Sequence, residues 1–344
     1  MSFKRLEADD FVISADSISS TLWSNNSPTL TTFFTSSIQA NGSSGNYYLN
    51  VFAASSNTAS AEFAIAYGNS VGSGSANYNN LVDGKSPSST IYGQYQNIVL
   101  GDENTDFVFG TITSSEFFAL SIDRARYKEK LLLGSLTLEI KGPVAASGSV
   151  FLTDNSAYVS STMFTEAGRV YQLISGSAGV RNSGLEANGY TTDSGSYGWF
   201  LPDIGTILLN PKALSAPTAS GGIGFISSGS ATATATVNES PNITLYKALS
   251  GSGNFKLNSE ETITSDYIFV RPRSSEFNYS ENPSYISGST GEVLYSSFIN
   301  NPITYITTVG LYNETSELLA VAKLSKPLLK DFTKEALIRV KLDF

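Results

Sequence analysis

The stretch YITTVGLYNETSELLAVAKL, residues 305–324, carries the clearest structural pattern of the chain. Apolar, β-branched and aromatic residues fill 305–312 and 318–324, and the polar segment Asn313–Glu317 separates the two runs. Such runs favour strands, and a short polar segment between them is typical of a hairpin. The sequence therefore predicts a β-hairpin at this place.

The segment beyond this hairpin alternates between apolar and charged residues. One face holds Ile338, Val340, Leu342 and Phe344, and the other holds Arg339, Lys341 and Asp343. A period of two indicates a strand with one buried face. We expect this strand to hold Phe344 in a sheet, and we predict another strand over Asp266–Arg271.

The same alternation recurs through the rest of the chain. It predicts strands at 46–53, 61–67, 107–112, 117–122, 136–141, 150–153, 170–175 and 199–209. The run 199–209 is interrupted by a turn at Pro202-Asp203, and 107–112 is expected to pair with 117–122. Residues 176–198, rich in Gly, Ser and Asn, predict an exposed loop. Residues 231–237 repeat Ala-Thr, which fits either a low-complexity loop or a strand against a close partner.

One helix is predicted in the first half of the chain. Ile91, Tyr95, Ile98 and Val99 recur at helical spacing and form an apolar stripe. Ser88 or Ser89 is suited to cap the start of this helix, and Gly101 is suited to its end. We expect the helix to lie across a sheet.

The sequence as a whole predicts a mainly β fold with two β-sandwich-like domains. The small, breaker-rich segment 142–148 (GPVAASG) is the predicted boundary. The N-terminal β domain then covers 1–142, with the helix near 88–100. The C-terminal β domain covers 149–344 and ends in the hairpin and the last strand.

Composition excludes most catalytic designs. The 344 residues include no Cys and no His, so thiolate chemistry, disulfides, the usual zinc ligands and Ser-His-Asp arrangements are absent. The net charge of −9 argues against a chain built to bind nucleic acid. The 20 Phe and 18 Tyr argue against global disorder. We predict a non-enzymatic protein without a cofactor, and no catalytic, cofactor-binding or metal-binding residue is assigned.

Targeting and membrane signals are also lacking in the printed sequence. The opening MSFKRLEADD is not followed by an apolar segment of signal-peptide length, and no apolar run approaches the length of a membrane span. We therefore expect the protein to be made and assembled in a cytoplasm, without a membrane partner.

Three short motifs match functional patterns incompletely. Gly84-Lys85-Ser86 resembles the end of a phosphate-binding loop but lacks its first Gly, so a surface turn is favoured. Asp102, Asn104 and Asp106 have calcium-loop spacing, but Phe107 and Thr113 occupy the positions of the required Gly and Glu. A polar turn explains them, and a weak divalent-ion site is the alternative. The third motif, Tyr197-Gly198-Trp199, offers aromatic rings for stacking on sugars, although Trp199 is favoured as the anchor of a strand.

Two further residue sets have simple structural explanations. Arg124, Arg126, Lys128 and Lys130 form the one dense basic run, for which a charged strand edge or a subunit contact is favoured over nucleic acid. Asn-x-Ser/Thr triplets begin at Asn41, Asn238, Asn242, Asn278 and Asn313, and a chain rich in Ser and Thr produces them by chance.

Several segments resemble structural proteins of large tailed phages. They are Tyr305–Asn313, Leu318–Leu324 and Ala336–Phe344, together with Phe3–Leu6, Thr29–Ser37, Gly45–Val51 and Asp123–Glu129. The chain is similar to virion proteins of T4-like marine phages, including those that infect cyanobacteria. The resemblance implies a role in the particle, in the tail or baseplate region.

The leading hypothesis is a structural virion subunit that acts through contacts with copies of itself and with other virion proteins. Its place in the particle stays open between baseplate, neck, fibre attachment and capsid. The second hypothesis is a tail-associated adhesin that binds a host glycan. The third is a depolymerase that uses a carboxylate pair.

Overall fold

The computed structural model describes residues 3–23, 25–35, 48–55, 58–72, 87–142, 148–159, 163–225, 241–251 and 253–343. Over these ranges the protein is mainly β with a few short helices, which confirms the predicted fold class. The predictions for Gly84–Ser86, Ala231–Val237, Phe344, Asn41 and Asn238 lie outside the described residues.

The strands are numbered in chain order. They are β1 (Phe11–Thr21), β2 (Thr29–Leu30), β3 (Phe34–Thr35), β4 (Tyr48–Phe52), β5 (Ala61–Asn69), β6 (Phe107–Phe109), β7 (Ile112–Ser114), β8 (Glu116–Ile122), β9 (Lys130–Leu131), β10 (Thr137–Lys141), β11 (Ser149–Asp154), β12 (Met163–Thr165), β13 (Gly168–Ser177), β14 (Val180–Arg181), β15 (Gly198–Leu201), β16 (Thr206–Leu209), β17 (Phe255–Lys256), β18 (Asn258–Val270), β19 (Thr304–Tyr312), β20 (Leu318–Lys330) and β21 (Ile338–Asp343).

The helices are short. They are α1 (Pro87–Tyr95), which continues into a π-helical turn (Gln96–Leu100), α2 (Pro211–Ser215), α3 (Pro241–Ser250) and α4 (Ser296–Asn300). Single 3₁₀ turns lie at Ala8–Asp10, Arg124–Arg126 and Thr218–Ser220.

The chain divides into two compact units. The terminal unit comprises Met1–Ser17 and Thr262–Phe344, and the central unit comprises Ile18–Glu261. This division differs from the predicted one at 142/149, because β10 and β11 pair with each other on either side of that segment. Gly142 donates its backbone N–H to the Gly148 carbonyl at 2.9 Å. Small and breaker residues mark tight strand connections as well as linkers, and residues 143–147 lie outside the described residues.

The central unit is organised around one curled antiparallel sheet, formed by thirteen strands among the described residues. Its order is β2-β17-β10-β11-β13-β15-β16-β8-β5-β4-β3, with β12 and β14 beside β13. In β8, Phe118 and Leu120 join the large core on one face, while Phe117 and Ala119 join a second core on the other. The middle of the sheet is therefore buried on both faces.

The helix α1 covers part of that second face, as predicted. Ile91, Tyr92 and Val99 are buried there, and Gly101 ends the helical segment with a φ of 71°. Two details of the prediction were wrong. The helix begins at Pro87, so Ser88 lies inside it rather than at its cap. Ile98 is 53% exposed, because the π-helical turn from Gln96 onward changes the direction in which successive side chains point.

One predicted strand pair was also wrong. The run 107–112 folds on itself, since β6 pairs with β7 around a turn in which Gly110 has a φ of 67°. β8 instead lies between β5 and β16. A glycine that permits a left-handed turn divided a run that reads as one strand.

Most other strand predictions are confirmed in place and type. The predicted runs 61–67, 136–141, 150–153, 170–175 and 199–209 correspond to β5, β10, β11, β13 and the hairpin of β15 and β16. The predicted run 46–53 contains β4, with residues 46 and 47 outside the description. The prediction of an exposed loop over 176–198 was wrong at its end, because Ser194–Tyr197 are buried. Asn210 Nδ2 donates to the carbonyls of Ser194 and Ser196 and holds this segment against the sheet.

The terminal unit contains β21 and most of β1 and β18, which pair in the order β1-β18-β21, and the two-stranded ribbon of β19 and β20. The ribbon confirms the predicted hairpin, and β21 has the predicted inward Ile338 and Val340 with outward Arg339 and Lys341. Ile268 pairs with Val340 across β18 and β21. Apolar side chains of the ribbon, such as Leu324, pack against this small core.

Candidate assembly surface

The predicted calcium-loop residues form a closed polar turn. The Asp102 carboxylate accepts hydrogen bonds from the Asn104 backbone N–H and the Thr105 hydroxyl, both at 2.9 Å. These bonds, the backbone one first, hold the pKa of Asp102 below its ordinary value. Asp106 accepts a long hydrogen bond of 3.4 Å from the Tyr92 hydroxyl. The structure thus gives these carboxylates local partners, and no group of three or more acidic metal ligands occurs in the described ranges.

The basic run contributes to intramolecular contacts. The Arg126 Nε atom donates to the Ala61 carbonyl and lies 3.0 Å from the Glu62 carboxylate, at the start of β5. The Arg124 guanidinium lies 4.6 Å from the centre of the Tyr127 ring. Lys130 lies 4.0 Å from the Glu260 carboxylate. These contacts favour the strand-edge interpretation of the run over a free basic patch.

Trp199 anchors a strand, which confirms the favoured interpretation. Its side chain is 2% exposed and makes edge-to-face contacts with Phe107 and Phe109 at centroid distances of 5.7 and 5.5 Å. Tyr197 is equally buried, and its hydroxyl donates to the Gly221 carbonyl at 2.7 Å. Burial raises the pKa of Tyr197 to about 12. Both rings face the interior and are closed to a sugar.

The described Asn-x-Ser/Thr triplets have structural roles. The Asn242 and Asn278 side chains are buried, which leaves no room for a glycan. Asn313 lies at the tip of the β19–β20 hairpin, where its Oδ1 accepts from the Glu317 backbone N–H at 2.7 Å. These positions fit chance occurrence of the triplet.

The terminal unit differs from the central unit in the exposure of its large apolar side chains. Within its described part, the buried large apolar residues are Ile268, Phe298, Ile338 and Val340. The exposed ones are Phe3, Phe11, Val12, Ile13, Tyr279, Leu294, Tyr295, Ile299, Tyr305, Tyr312, Leu318, Leu319, Val321, Phe332 and Leu337. Single exposed apolar residues are ordinary, but such a preponderance over buried ones is not. Within its described part, this unit exposes more large apolar residues than it buries.

Strand β1 exposes consecutive apolar residues. Phe11, Val12 and Ile13 are 47%, 50% and 73% exposed. Because neighbouring side chains of a strand point to opposite faces, both faces of β1 are open here. Sequence reasoning missed this strand, and its signal was the apolar triplet before a Ser-rich alternation.

The ribbon of β19 and β20 adds the second exposed group. Its inward side chains contact the small core, while Leu319 and Val321 of β20 are 68% and 58% exposed on the other side. Tyr312 lies beside them, and Phe3 contacts its ring edge to face at 5.2 Å. We call Phe3, the exposed apolar residues Phe11, Val12 and Ile13 of β1, and those of β19 and β20 the assembly surface; all of them belong to the terminal unit.

Comparisons of this chain with family models, with curated proteins and with solved structures found no match. The residues themselves therefore carry the functional argument. Over the part of the chain that the structure describes, no helix is long and apolar enough to span a membrane.

Two ion pairs fasten the N-terminal segment within the terminal unit. The Asp10 carboxylate accepts from the Glu7 backbone N–H at 3.0 Å and from Arg271 Nε at 2.8 Å. Lys4 Nζ lies 2.8 Å from the Glu276 carboxylate. The Glu7 backbone N–H first and then Arg271 hold the pKa of Asp10 below its ordinary 3.8, and Lys4 holds that of Glu276 below its ordinary 4.5.

These depressed pKa values predict acid loosening of the segment that carries β1. A carboxylate whose pKa is lower in the folded state stabilises that state above its unfolded pKa, and this contribution is lost as the pH falls through the folded pKa. We therefore expect the Asp10→Asn/Glu276→Gln variant to be less stable than the wild-type chain at about pH 6, and this deficit to be smaller at about pH 3. Urea unfolding at both pH values, followed by tyrosine near-ultraviolet circular dichroism, measures this. An equal deficit of the variant at both values would contradict the prediction.

Proposed function

We propose that this chain is a non-enzymatic structural subunit of a tailed bacteriophage virion, in the tail or baseplate region. It acts through protein–protein assembly with copies of itself and with other virion proteins. The observation that carries this proposal is the assembly surface of the terminal unit. Monomeric proteins rarely leave large apolar patches in water, and such patches mark interaction sites.

The composition of that surface fits a protein partner. Aromatic residues are enriched at protein interfaces and charged residues are depleted from their cores. The assembly surface contains Phe3, Phe11, Tyr305 and Tyr312, while β19 has no charged residue at all. The resemblance to virion proteins of T4-like marine phages supplies the class of particle.

The absence of His and Cys from the sequence supports a role without chemistry. The acidic net charge and the contacts of the basic run argue against nucleic acid as the partner. We propose that the chain is made in the host cytoplasm and ends in the virion.

A second candidate is a tail-associated adhesin that binds a host glycan. It is favoured by Tyr279 and Tyr295, which are 53% and 56% exposed in the irregular segment before β19. An exposed tyrosine offers the face of its ring to the C–H groups of a sugar and its hydroxyl for a hydrogen bond. Binding of the wild-type chain on a glycan array, lost in the Tyr279→Ala/Tyr295→Ala variant, would support this candidate.

Mass spectrometry of purified particles tests the leading proposal. Particles from the source of this sequence, banded on a density gradient, should contain the chain in fixed proportion to other virion proteins. An antibody raised against the chain should label the tail region in electron micrographs. Absence of the chain from banded particles would overturn the proposal.

A further inference from the structure

The outer edge of β1 lacks the usual protection of an edge strand. The strand is 11 residues long, contains neither Pro nor Gly, and carries Asp16 as its single charge. Among the described residues it pairs with β18, and its other edge has no strand partner. Natural edges are normally blunted by charge, Pro, bulges or short length, because free backbone groups recruit another strand. The outer edge of β1 is therefore suited to pair with a strand of another chain.

The opposite edge of the same sheet has a different character. β21 is six residues long and directs Arg339 and Lys341 outward, with Asp343 beside Lys341 at 2.8 Å. Both cations lie near the ring of Tyr267 on the neighbouring strand. Among the described residues, the second edge of β21 has no strand partner either. The two edges carry opposite character: that of β1 is apolar with a central acid, and that of β21 has two cations.

We propose that β1 of one copy pairs with β21 of a second copy, so that the sheet continues from copy to copy and the assembly surface is buried. This inference rests on the proposed assembly function and names its partner. A contact between two different edges is heterologous, and such contacts close into rings when the rotation allows it.

Charge decides against the simplest alternative, in which two β1 strands pair with each other. Asp16 is the middle residue of Phe11–Thr21, so full antiparallel pairing would place the two Asp16 side chains directly opposite one another. Like charges in that position are destabilising. Against β21, the same carboxylate meets Arg339 and Lys341. Within one copy Asp16 already adds to the rise in the pKa of Lys341, whose main cause is the hydrogen bond to Asp343.

Burial supplies a second argument for another copy. Apolar side chains are open on both faces of β1 and on the outer side of the ribbon, so a partner must cover several sides at once. Pairing of β1 with β21 of a second copy covers the outer edge of β1 and brings neighbouring faces of the two copies together. A small ligand cannot bury so dispersed a surface.

A charge-swap experiment on the full chain tests the pairing. Asp16→Lys alone should weaken self-association by about tenfold, and Arg339→Glu/Lys341→Glu alone should weaken it to a similar extent. Mixing the two variants in equal amounts should restore association, because each variant then presents the complementary edge to the other. Sedimentation velocity measures the association, and Glu103→Lys, an exposed change of the same size and sign in the central unit, is the matched control for Asp16→Lys.

The outcomes separate this inference from the proposed function. Pairing of β1 with β1 would leave Arg339→Glu/Lys341→Glu unaffected and would overturn the inference. A wild-type chain that stays monomeric at high concentration overturns it too, even if the chain is found in virions. Circular dichroism of each variant establishes that it folds, and restoration on mixing is a second readout that misfolded chains would fail. Association of the mixture, together with weak association of each variant, supports pairing between β1 and β21.

Discussion

Replacing Gly198 by alanine is expected to destabilise the central unit by about 4 kcal/mol, from backbone strain and overpacking together. Gly198 has a φ of 144°, and a Cβ added to it would lie 1.8 Å from the Leu208 carbonyl oxygen. The residue pairs with Leu173 of β13 on one side and with Leu209 of β16 on the other. Because strands hold it from both sides, the backbone cannot move away from the added methyl group.

Gly184→Ala is the matched control for this change. Gly184 has a φ of 127°, but nothing lies within 4 Å of its hypothetical Cβ. It should therefore show the cost of the φ angle alone, about 1–3 kcal/mol. Both Trp residues of the chain, Trp23 and Trp199, lie in the central unit, so urea unfolding followed by tryptophan fluorescence reports on this unit. Equal losses in the two variants would contradict a clash at Leu208.

The residue pattern of a short segment was sufficient to predict those elements whose contacts are made within that segment. The hairpin of β19 and β20 followed from two apolar runs around Asn313–Glu317, and α1 followed from a helical stripe that ends at Gly101. Each of these depends on residues close together in the sequence. For the same reason, the bounds of α1 and β19 were close to those of the structure, whereas β20 continues past the predicted end at Leu324 to Lys330.

Pairings between distant segments were not predictable in this way. β17 lies between β2 and β10, so Phe255 pairs with Leu30 on one side and with Leu138 on the other. Nothing in these short runs specifies partners so far away in the chain. The compact units do not follow the predicted boundary near Gly142, because composition shows where a chain can turn, while contacts determine which segments share a unit.

The candidate surface shows a related limit. Alternation predicts that one face of a strand is apolar, but it does not tell whether the same chain covers that face. Val321 of β20 and Val340 of β21 belong to equally alternating strands, yet Val321 is 58% exposed and Val340 is 5% exposed. The difference lies in which side of the ribbon meets the small core, and that depends on the tertiary arrangement.

Lys330 is the buried cation of the terminal unit whose loss should be most costly. Its side chain is fully buried at the end of β20, and Nζ donates to the Ser274 carbonyl at 2.9 Å, Asn278 Oδ1 at 2.8 Å and the Asp331 carbonyl at 2.9 Å. An ammonium group has three hydrogens to donate, so these acceptors satisfy it completely. They replace the water that burial removed, and they tie the turn of residues 274–278 to the ribbon.

Lys330→Met should therefore destabilise the terminal unit by about 3 kcal/mol, because it keeps the length of the side chain, removes three hydrogen bonds to the ammonium group and takes from the buried Asn278 Oδ1 its donor. Lys326→Met on the same strand is the matched control; its side chain is exposed, so its effect should stay within about 0.5 kcal/mol.

Since the terminal unit contains no Trp, hydrogen exchange of peptides from β20 and β21 is the suitable measurement. Faster exchange in Lys330→Met, with unchanged exchange in β15 and β16, is the expected result. If Lys330→Met exchanges like Lys326→Met, the three contacts do not stabilise the unit. A loss of this size would be large for a unit with so few buried apolar side chains.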